Sequence, residues 1–334
     1  MKTLFLYIVK QDNAPILAGL SAEEWLIRGA EGTPYRVIED FSEATPPPCD
    51  YFAVLTAETP LVTSSYLLDL TREMDRRGVL GLEIGKGLIA RSVAYREGFR
   101  PKRSASAPAA MPVKTIAECA RAEKELYRRI AEKTVQNGAI VPDVESVRID
   151  ALSTVEAGAV VEPYVLLCKS IVESGARVGS FSEISRSRIG KDATVVHSVV
   201  NDSTVGEGAT VGPFAYIRER SVIGEKCRIG DFVEVKKSTL GRGVKAAHLA
   251  YVGDATVGEG TNVGCGTVFA NYDGRTKHAT AVGKRVFIGA NTNLVAPVTV
   301  GDDAYIAAAT TVTADVPAGA FVIGRVRAEE KPKK

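Results

Sequence analysis

The sequence lacks the features that direct a protein into a membrane or onto nucleic acid. None of its apolar runs approaches the roughly 20 residues that span a bilayer, and the run Leu4–Val9 is too short for a signal peptide, so it is interpreted as a strand. The net charge of +2 creates no large field of one sign. We therefore expect neither a membrane nor nucleic acid as a partner, and locally placed cations must hold any anionic substrate.

Cysteine is scarce and irregularly spaced. The five residues form neither a C-x-x-C pair nor a disulfide framework, and their number is odd. A reduced, cytoplasmic compartment is the expectation. The cysteines are Cys49, Cys119, Cys168, Cys227 and Cys265.

A mixture of 45% hydrophobic and 25% charged residues over 334 positions indicates a globular protein, with two domains as the prior expectation. In residues 1–103, the strand-like segments KTLFLYIV and YFAVLT alternate with the helix-like segments SAEEWLIRGA and YLLDLTREMDRRG. This alternation predicts a small α/β domain.

An internal repeat occupies residues 149–317, where an aliphatic residue recurs every six positions and glycine often follows it. Amphipathic helices repeat near 3.6 residues and ordinary strands near 2, so this period predicts a parallel β-helix in which three hexads make one coil. Steps of 18 residues predict roughly nine coils. The unbroken runs are Ile149, Val155, Val161, Leu167; Val205, Val211, Ile217, Ile223, Ile229, Val235; and Ile288, Leu294, Val300, Ile306, Val312.

The remaining segments complete the predicted organisation. A linker at 104–112 and an amphipathic helix at 116–131 fall within a connecting segment 104–138; the β-helix then covers 139–327 and a solvated tail 328–334. The repeat is interrupted at 235–251 and again at 269–281, which is too polar and long for one hexad. Because an irregular loop on a uniform scaffold is a prime place for a site, function is expected there.

Residues 211–327 closely resemble the acetyltransferase half of the bifunctional enzymes that acetylate glucosamine-1-phosphate and then uridylylate the product. The resemblance covers about the last 200 residues and implies a left-handed β-helix. It is carried by the stretches DFVEVKKSTLG, KAAHLAYVGDA, CGTVFANYDGRTKH, APVTVGDDAYIAAATTVTADVP and GRVR.

The N-terminal domain is only faintly similar to the nucleotidyltransferase half of that family. Glu58, in TAETPLVTSSYLLDL, stands where a metal-binding aspartate is expected, and the glycine-rich phosphate loop with its lysine is absent after the first strand. The resemblance therefore implies a truncated domain without uridyltransferase activity.

The family match implies a role for each candidate site residue. His248 is the expected general base, and an ordinary imidazole titrates near neutral pH. Glu234 is an orienting neighbour or an exposed structural carboxylate. The implied sugar-phosphate residues are Arg218, Lys236, Tyr251, Asn262 and Lys277, although Asn262 also suits a structural turn ladder.

The resemblance places Asn271, Tyr272, Ala308 and Arg325 against acetyl-CoA. Cys265 and Ala290 belong to the same cofactor-binding set but depart from the family pattern, since Cys265 occupies a usually inert small position and Ala290 replaces a serine. Both substitutions are expected to alter affinity rather than abolish activity. Cys265 has no sequence neighbour that would stabilise a catalytic thiolate.

The sequence thus predicts an acetyl-CoA-dependent N-acetyltransferase for glucosamine-1-phosphate, working as a homotrimer with its site between subunits. Galactosamine phosphate, a nucleotide-linked amino sugar, and a non-catalytic sugar-phosphate-binding regulator are the alternatives. Metal is not expected, because His197, His248 and His278 lack the close pair of the zinc-dependent hexapeptide enzymes.

Overall fold

The computed structural model describes residues 2–11, 14–105, 108–110 and 112–331. Parts of the predicted linker (106, 107 and 111) and of the tail (332–334) lie outside the described residues. Contacts divide the chain into two units, residues 1–129 and 130–334, with the last helix of the first unit continuing across the division.

The first unit is a five-stranded mixed sheet with helices, in the strand order β4-β1-β5-β7-β6. Strands β4, β1 and β5 are parallel, whereas β7 is antiparallel to both β5 and β6. Its elements are β1 Leu4–Val9, β2 Ile16–Leu17, β3 Leu20–Ser21, α1 Ala22–Gly29, β4 Tyr35–Ile38, β5 Tyr51–Thr56, α2 Ser64–Arg77, β6 Gly81–Ile84, β7 Gly87–Arg91, α3 Ser92–Arg96 and α4 Ile116–Gln136, with 3₁₀ turns at Phe41–Glu43 and Pro108–Ala110.

Local sequence signals define the helices of this unit. Ser21 caps α1 and forms a reciprocal capping box with Glu24. Helix α2 ends at Gly78, which adopts a left-handed φ of 67° that glycine tolerates without a Cβ penalty. The sequence correctly predicted β1, α1, β5 and α2 but missed β4 and the β6–β7 hairpin, and α4 ends at Gln136 instead of residue 131.

The second unit is the predicted parallel β-helix. Its strands are β8 Arg148–Ile149, β9 Thr154–Val155, β10 Val160–Val161, β11 Leu166–Cys168, β12 Ile171–Val172, β13 Arg177–Val178, β14 Glu183–Ser185, β15 Arg188–Ile189, β16 Thr194–Val195, β17 Val199–Asn201, β18 Thr204–Val205, β19 Thr210–Val211, β20 Tyr216–Arg218, β21 Val222–Ile223, β22 Arg228–Asp231, β23 Glu234–Lys236, β24 Thr239–Leu240, β25 Lys245–His248, β26 Tyr251–Gly253, β27 Ala255–Val257, β28 Asn262–Val263, β29 Val268–Ala270, β30 Thr280–Val282, β31 Phe287–Ile288, β32 Asn293–Val295, β33 Val298–Val300, β34 Tyr305–Ile306, β35 Thr311–Val312 and β36 Phe321–Val322.

These strands form three parallel sheets, which are the three faces of the prism. Face 1 contains every third strand from β10 to β34 and then β36; face 2 runs from β8 to β35, and face 3 from β9 to β33. The aliphatic residue of each hexad points inward, so Val161, Leu167 and Val172 are fully buried in one continuous core. The predicted fold class, an α/β unit followed by a left-handed parallel β-helix, is confirmed.

The structure differs from the predicted β-helix in three details. Faces 1 and 2 each contain ten strands, so the stack has about ten coils instead of nine; several coils advance by 16 or 17 residues, which fits more coils into the same length. The repeat is not interrupted at 235–251, because β23 to β26 continue the coils regularly. The second interruption is a loop, but it covers only residues 271–279, since β29 and β30 occupy its predicted ends.

Serines line the corner between faces 2 and 3. Each hydroxyl donates to the carbonyl two or three residues before it and accepts a backbone N–H from the next coil. The N–H donor is a serine, as in Ser187 to Ser170 at 3.2 Å and Ser203 to Ser187 at 3.0 Å, except at Ser238, which accepts from Ala255. These buried polar groups therefore have partners, as buried groups must. The ladder consists of Ser170, Ser187, Ser203, Ser221 and Ser238.

The corner between faces 1 and 2 has a different character, because it presents a row of rings, four of them exposed and that of His197 half-buried. Consecutive ring centroids lie 5.2 to 5.9 Å apart, and each ring-bearing residue has a positive φ, a region that costs strain for a side chain other than glycine. We call this set the aromatic row: Tyr164, Phe181, His197, Phe214 and Phe232.

Candidate functional site

His248 ends strand β25 at the corner between faces 1 and 2, with 55% of its side chain exposed. The parallel register places it directly opposite Asp231 on β22, and its Nδ1 lies 2.6 Å from Asp231 Oδ1. This hydrogen bond is the main cause that holds the pKa of Asp231 below its ordinary 3.8. The exposed imidazole is therefore hydrogen-bonded to an ionised carboxylate.

Lys236 ends β23 at the edge of face 2 that borders face 3, across face 2 from the corner of His248. Only 4% of its side chain is exposed. Its Nζ lies 3.3 Å from Asp254 Oδ2 and 3.4 Å from Glu219 Oε2. Burial alone would raise the pKa of Asp254, but hydrogen bonds from Asn271 and Lys236 outweigh burial and lower it. The buried ammonium is thus matched by two carboxylates, as a buried charge requires.

Lys277 reaches the same place from the loop 271–279. A hydrogen bond with Lys236, reinforced by charge repulsion, lowers the pKa of Lys277. The same hydrogen bond, together with Asp254, raises the pKa of Lys236. The two lysine amines therefore interact with each other, and an anion bound beside them would allow both to be charged.

The loop 271–279 is organised by its own side chains. Asp273 accepts backbone N–H groups from Thr276 and Arg275, both at 2.7 Å, and its other oxygen lies 2.7 Å from His278 Nε2. These hydrogen bonds hold the pKa of Asp273 far below its usual range, and the backbone N–H of Thr276 makes the largest contribution. An antiparallel bridge between Tyr272 and Lys277 closes the loop.

Tyr251 and Asn271 are brought together next to this pocket. The Asn271 amide, which is buried, donates to Asp254 Oδ2 at 2.5 Å and lies 3.3 Å from Tyr251 Oη. The phenol lies across Gly253, where a Cβ would approach Tyr251 Oη to 2.4 Å and Asn271 Nδ2 to 2.8 Å. Glycine at 253 is therefore a requirement of the Tyr251–Asn271 contact.

Arg218 and Glu234 form an ion pair on face 2. Arg218 Nε donates to Glu234 Oε1 at 2.8 Å, and Arg218 also pairs with Glu219. Glu219 in turn contacts Lys236, so Arg218 belongs to the same network of charges. Glu234 is thus engaged by Arg218, while the carboxylate bonded to His248 is Asp231.

Three of the predicted acetyl-CoA residues stack along the corner between faces 1 and 2, and the side chain of a fourth, Arg325, reaches them. Asn291 N donates to Cys265 O at 2.7 Å and Ala309 N to Ala290 O at 2.8 Å, which places Cys265, Ala290 and Ala308 on successive coils in line with His248. Arg325 Nη1 donates to Ala308 O at 2.7 Å.

Two predicted residues lie apart from these groups. Asn262 is on β28 of face 1, in register with Lys245 and Phe287, whereas Lys236 and Tyr251 are on face 2. Tyr272, which is exposed, is carried by the loop between faces 2 and 3, away from the corner that carries Cys265.

Sequence reasoning missed Asp231, Glu219, Asp254 and Gly253. The signal that could have found Asp231 and Asp254 is coil register: Asp231 precedes His248, and Lys236 precedes Asp254, by 17 or 18 residues, which is one coil. Residues with that separation lie on adjacent strands about 4.8 Å apart.

In the first unit, the carboxylate of Glu58 lies 2.7 Å from Lys86 Nζ and 3.7 Å from Lys114 Nζ. Both lysines compete with any cation for this carboxylate. Within the described ranges, no three His, Cys, Asp or Glu side chains are grouped closely enough to hold a metal ion. None of the described helices combines the length and apolar character of a bilayer crossing, and all five cysteines are free thiols.

Comparison with known proteins gives the relationship of the second unit. Residues 202–237 match the family model "Bacterial transferase hexapeptide (six repeats)". The bifunctional protein GlmU of Clostridium acetobutylicum is 51% identical over 205 residues, which cover 61% of this chain and 45% of that protein. The C-terminal part of this chain is homologous to part of GlmU. GlmU of Heliobacterium modesticaldum is 45% identical over 215 residues, covering 64% of this chain and 47% of its own.

The chain thus spans just under half the length of the GlmU proteins it matches. Among solved structures, LpxA from Acinetobacter baumannii covers 50% of this chain and 69% of its own, with a TM-score of 0.34 and 16% identity. The UDP-N-acetylglucosamine acyltransferase from Campylobacter jejuni covers 53% and 71%, with a TM-score of 0.26 and 19% identity. TM-scores this low do not support an inference about function from either structure.

Proposed function

We propose that this chain transfers an acetyl group from acetyl-CoA to the amino group of glucosamine-1-phosphate or a closely related amino-sugar phosphate. The observation that carries the proposal is the pair of cations Lys236 and Arg218, linked through Glu219, on the face whose other edge carries the exposed His248. An anionic sugar with a nucleophilic amine suits this combination, and the identity with GlmU supports it.

In the proposed reaction, Lys236 and Lys277 bind the phosphate and Arg218 adds a guanidinium on the same face. The sugar amine attacks the thioester carbonyl, and His248 accepts the proton that the amine loses. The tetrahedral intermediate then collapses to the amide and releases the CoA thiolate, which takes up a proton. Asn271 and Tyr251, fixed by Asp254 and Gly253, lie beside Lys236 on the phosphate side of the proposed site.

The cosubstrate side of the proposed site is the corner formed by Cys265, Ala290 and Ala308. Their small surfaces and backbone groups leave room for an extended ligand, and Arg325 contributes a cation at the far end. The reaction needs no metal, because the base and the anion-binding cations are supplied by side chains.

Two features support a homotrimer with the site between subunits. Asn262 lies on face 1 and Lys236 on face 2 of the same chain. A sugar bound by Lys236 would therefore contact the Asn262 of a neighbouring subunit more readily than the Asn262 of its own chain. The aromatic row, with Phe181 63% and Phe232 58% exposed, is the kind of apolar surface that subunit contacts bury.

The proposal is tested by following thiol release from acetyl-CoA with a panel of acceptors: glucosamine-1-phosphate, galactosamine-1-phosphate, a nucleotide-linked amino sugar and unphosphorylated glucosamine. We expect the highest kcat/KM with glucosamine-1-phosphate and a marked loss without the phosphate. His248→Ala is the inactive reference, and Asp303→Ala, which breaks an exposed ion pair with Arg285, is the control.

Preference for another acceptor in this panel would replace the substrate but keep the reaction. Binding of glucosamine-1-phosphate without any thiol release would favour the non-catalytic regulator and contradict the proposal.

A further inference from the structure

His248 and Asp231 form a pair that the family-based expectations did not include. The two residues are opposite each other in the parallel register of β22 and β25, with 2.6 Å between Nδ1 and Oδ1. That distance is typical of a charge-assisted hydrogen bond. An ionised carboxylate can only accept, so the proton in this bond belongs to Nδ1 of the imidazole.

Among the charged groups around His248, Asp231 is the one that bonds to the imidazole ring. On the two strands themselves, Arg228 and Lys245 are the next charged residues, three positions before Asp231 and His248 and in register with each other. On the other side, β28 brings Asn262 and Val263, followed by the Cys265 thiol. Glu234, beyond the corner, is bonded to Arg218.

We infer that Asp231 is a positioning residue that fixes His248 in the Nδ1–H tautomer and leaves Nε2 as the proton acceptor for the sugar amine. This inference rests on the proposed acetyl transfer. A free imidazole exchanges its proton between both nitrogens and rotates, and only one arrangement presents a basic nitrogen to the substrate. The carboxylate selects that arrangement and stabilises the imidazolium that forms when the proton is taken up.

A double-mutant cycle measures the positioning effect. Asp231→Ala should lower kcat by about 10- to 100-fold, a part of what a general base contributes, and leave KM for both substrates within about twofold. Asp231→Asn should retain more activity, since its amide oxygen still accepts from Nδ1. In the His248→Ala protein, Asp231→Ala should cause no further loss, because residues that act as a unit are not additive. Asp303→Ala, which breaks an exposed ion pair with Arg285, is the matched control.

The second readout does not depend on activity. Nitrogen-15 NMR of the imidazole of His248 should show the Nδ1–H tautomer in the wild-type protein and in Asp303→Ala, and a shift toward Nε2–H in Asp231→Ala. An unchanged tautomer in Asp231→Ala, or an equal loss of kcat with and without His248, would overturn the inference. Failure of the proposed function gives another pattern: the wild-type protein shows the Nδ1–H tautomer but releases no CoA with any acceptor.

Discussion

Replacement of Gly253 by alanine is a sharp test of the proposed acceptor pocket. Gly253 ends β26 in register with Lys236, and an added Cβ would lie 2.4 Å from Tyr251 Oη, 2.6 Å from Tyr251 Cζ and 2.8 Å from Asn271 Nδ2. Ordinary contact begins near 3.4 Å, so the phenol must move by about 1 Å. A misplacement of that size can cost about 10²-fold in rate when it affects positioning groups.

We therefore expect Gly253→Ala to lower kcat/KM for the amino-sugar phosphate by about 100-fold while the protein stays folded, because the phenol is half-buried and can move outward. Thiol-release kinetics measure the loss, and thermal unfolding checks the fold. Gly179→Ala is the matched control, since the three atoms nearest to its Cβ all belong to Val196, at 3.1 to 3.3 Å. Activity of Gly253→Ala within about threefold of wild type, with an unchanged Tm, would refute the reasoning.

Four further predictions follow from the same structure. His248→Ala should fold and bind acetyl-CoA but lose acetyl transfer by about 10²- to 10⁴-fold; activity near wild type would remove the base assignment. Light scattering should show a trimer at micromolar concentration, and a monomer would remove the shared site with it. With UTP, magnesium and N-acetylglucosamine-1-phosphate, the protein should release no pyrophosphate, because Glu58 is paired with two lysines and residues 1–20 contain only Gly19 for a phosphate loop; turnover that disappears on deletion of residues 1–103 would reverse this interpretation. The folded-state pKa of Asp254 is lowered from 3.8, so its ionised form stabilises the protein above that pH and the effect is lost as pH falls through the folded value. The Tm difference between wild type and Asp254→Asn should therefore be largest near neutral pH and shrink in acid; a difference that grows in acid would contradict it.

The β-helix could be predicted because its core depends on one position in six. Ile288, Leu294 and Val300 are buried as the period requires, and few other residue types satisfy an inward position in a narrow prism. The loop boundaries could not be predicted so well. Phe269 looked like part of a polar insertion, yet it is buried on β29, because an aromatic residue can replace an aliphatic one in the core.

The site was predictable only where single residues carry a motif. His248, Lys236 and Lys277 stand in distinctive stretches, whereas Asp231 and Asp254 act through neighbours one coil away. Those pairings depend on the length of each coil, and coils of 16, 17 and 18 residues occur in this chain. A fixed step of 18 therefore aligns the wrong residues after a few coils.

The stacking of coils also places residues at regular intervals along each corner of the prism. Asp231, His248, Cys265, Ala290 and Ala308 follow one another along a single corner, so heights along that corner increase in steps of about 4.8 Å. The loop 271–279 adds residues between Cys265 and Ala290, yet Val263 and Ile288 remain adjacent in register. Insertions at this position can therefore vary in length and composition while the spacing of residues along the corner stays constant. The loop can change in evolution without altering the surface that the corner presents to an elongated ligand.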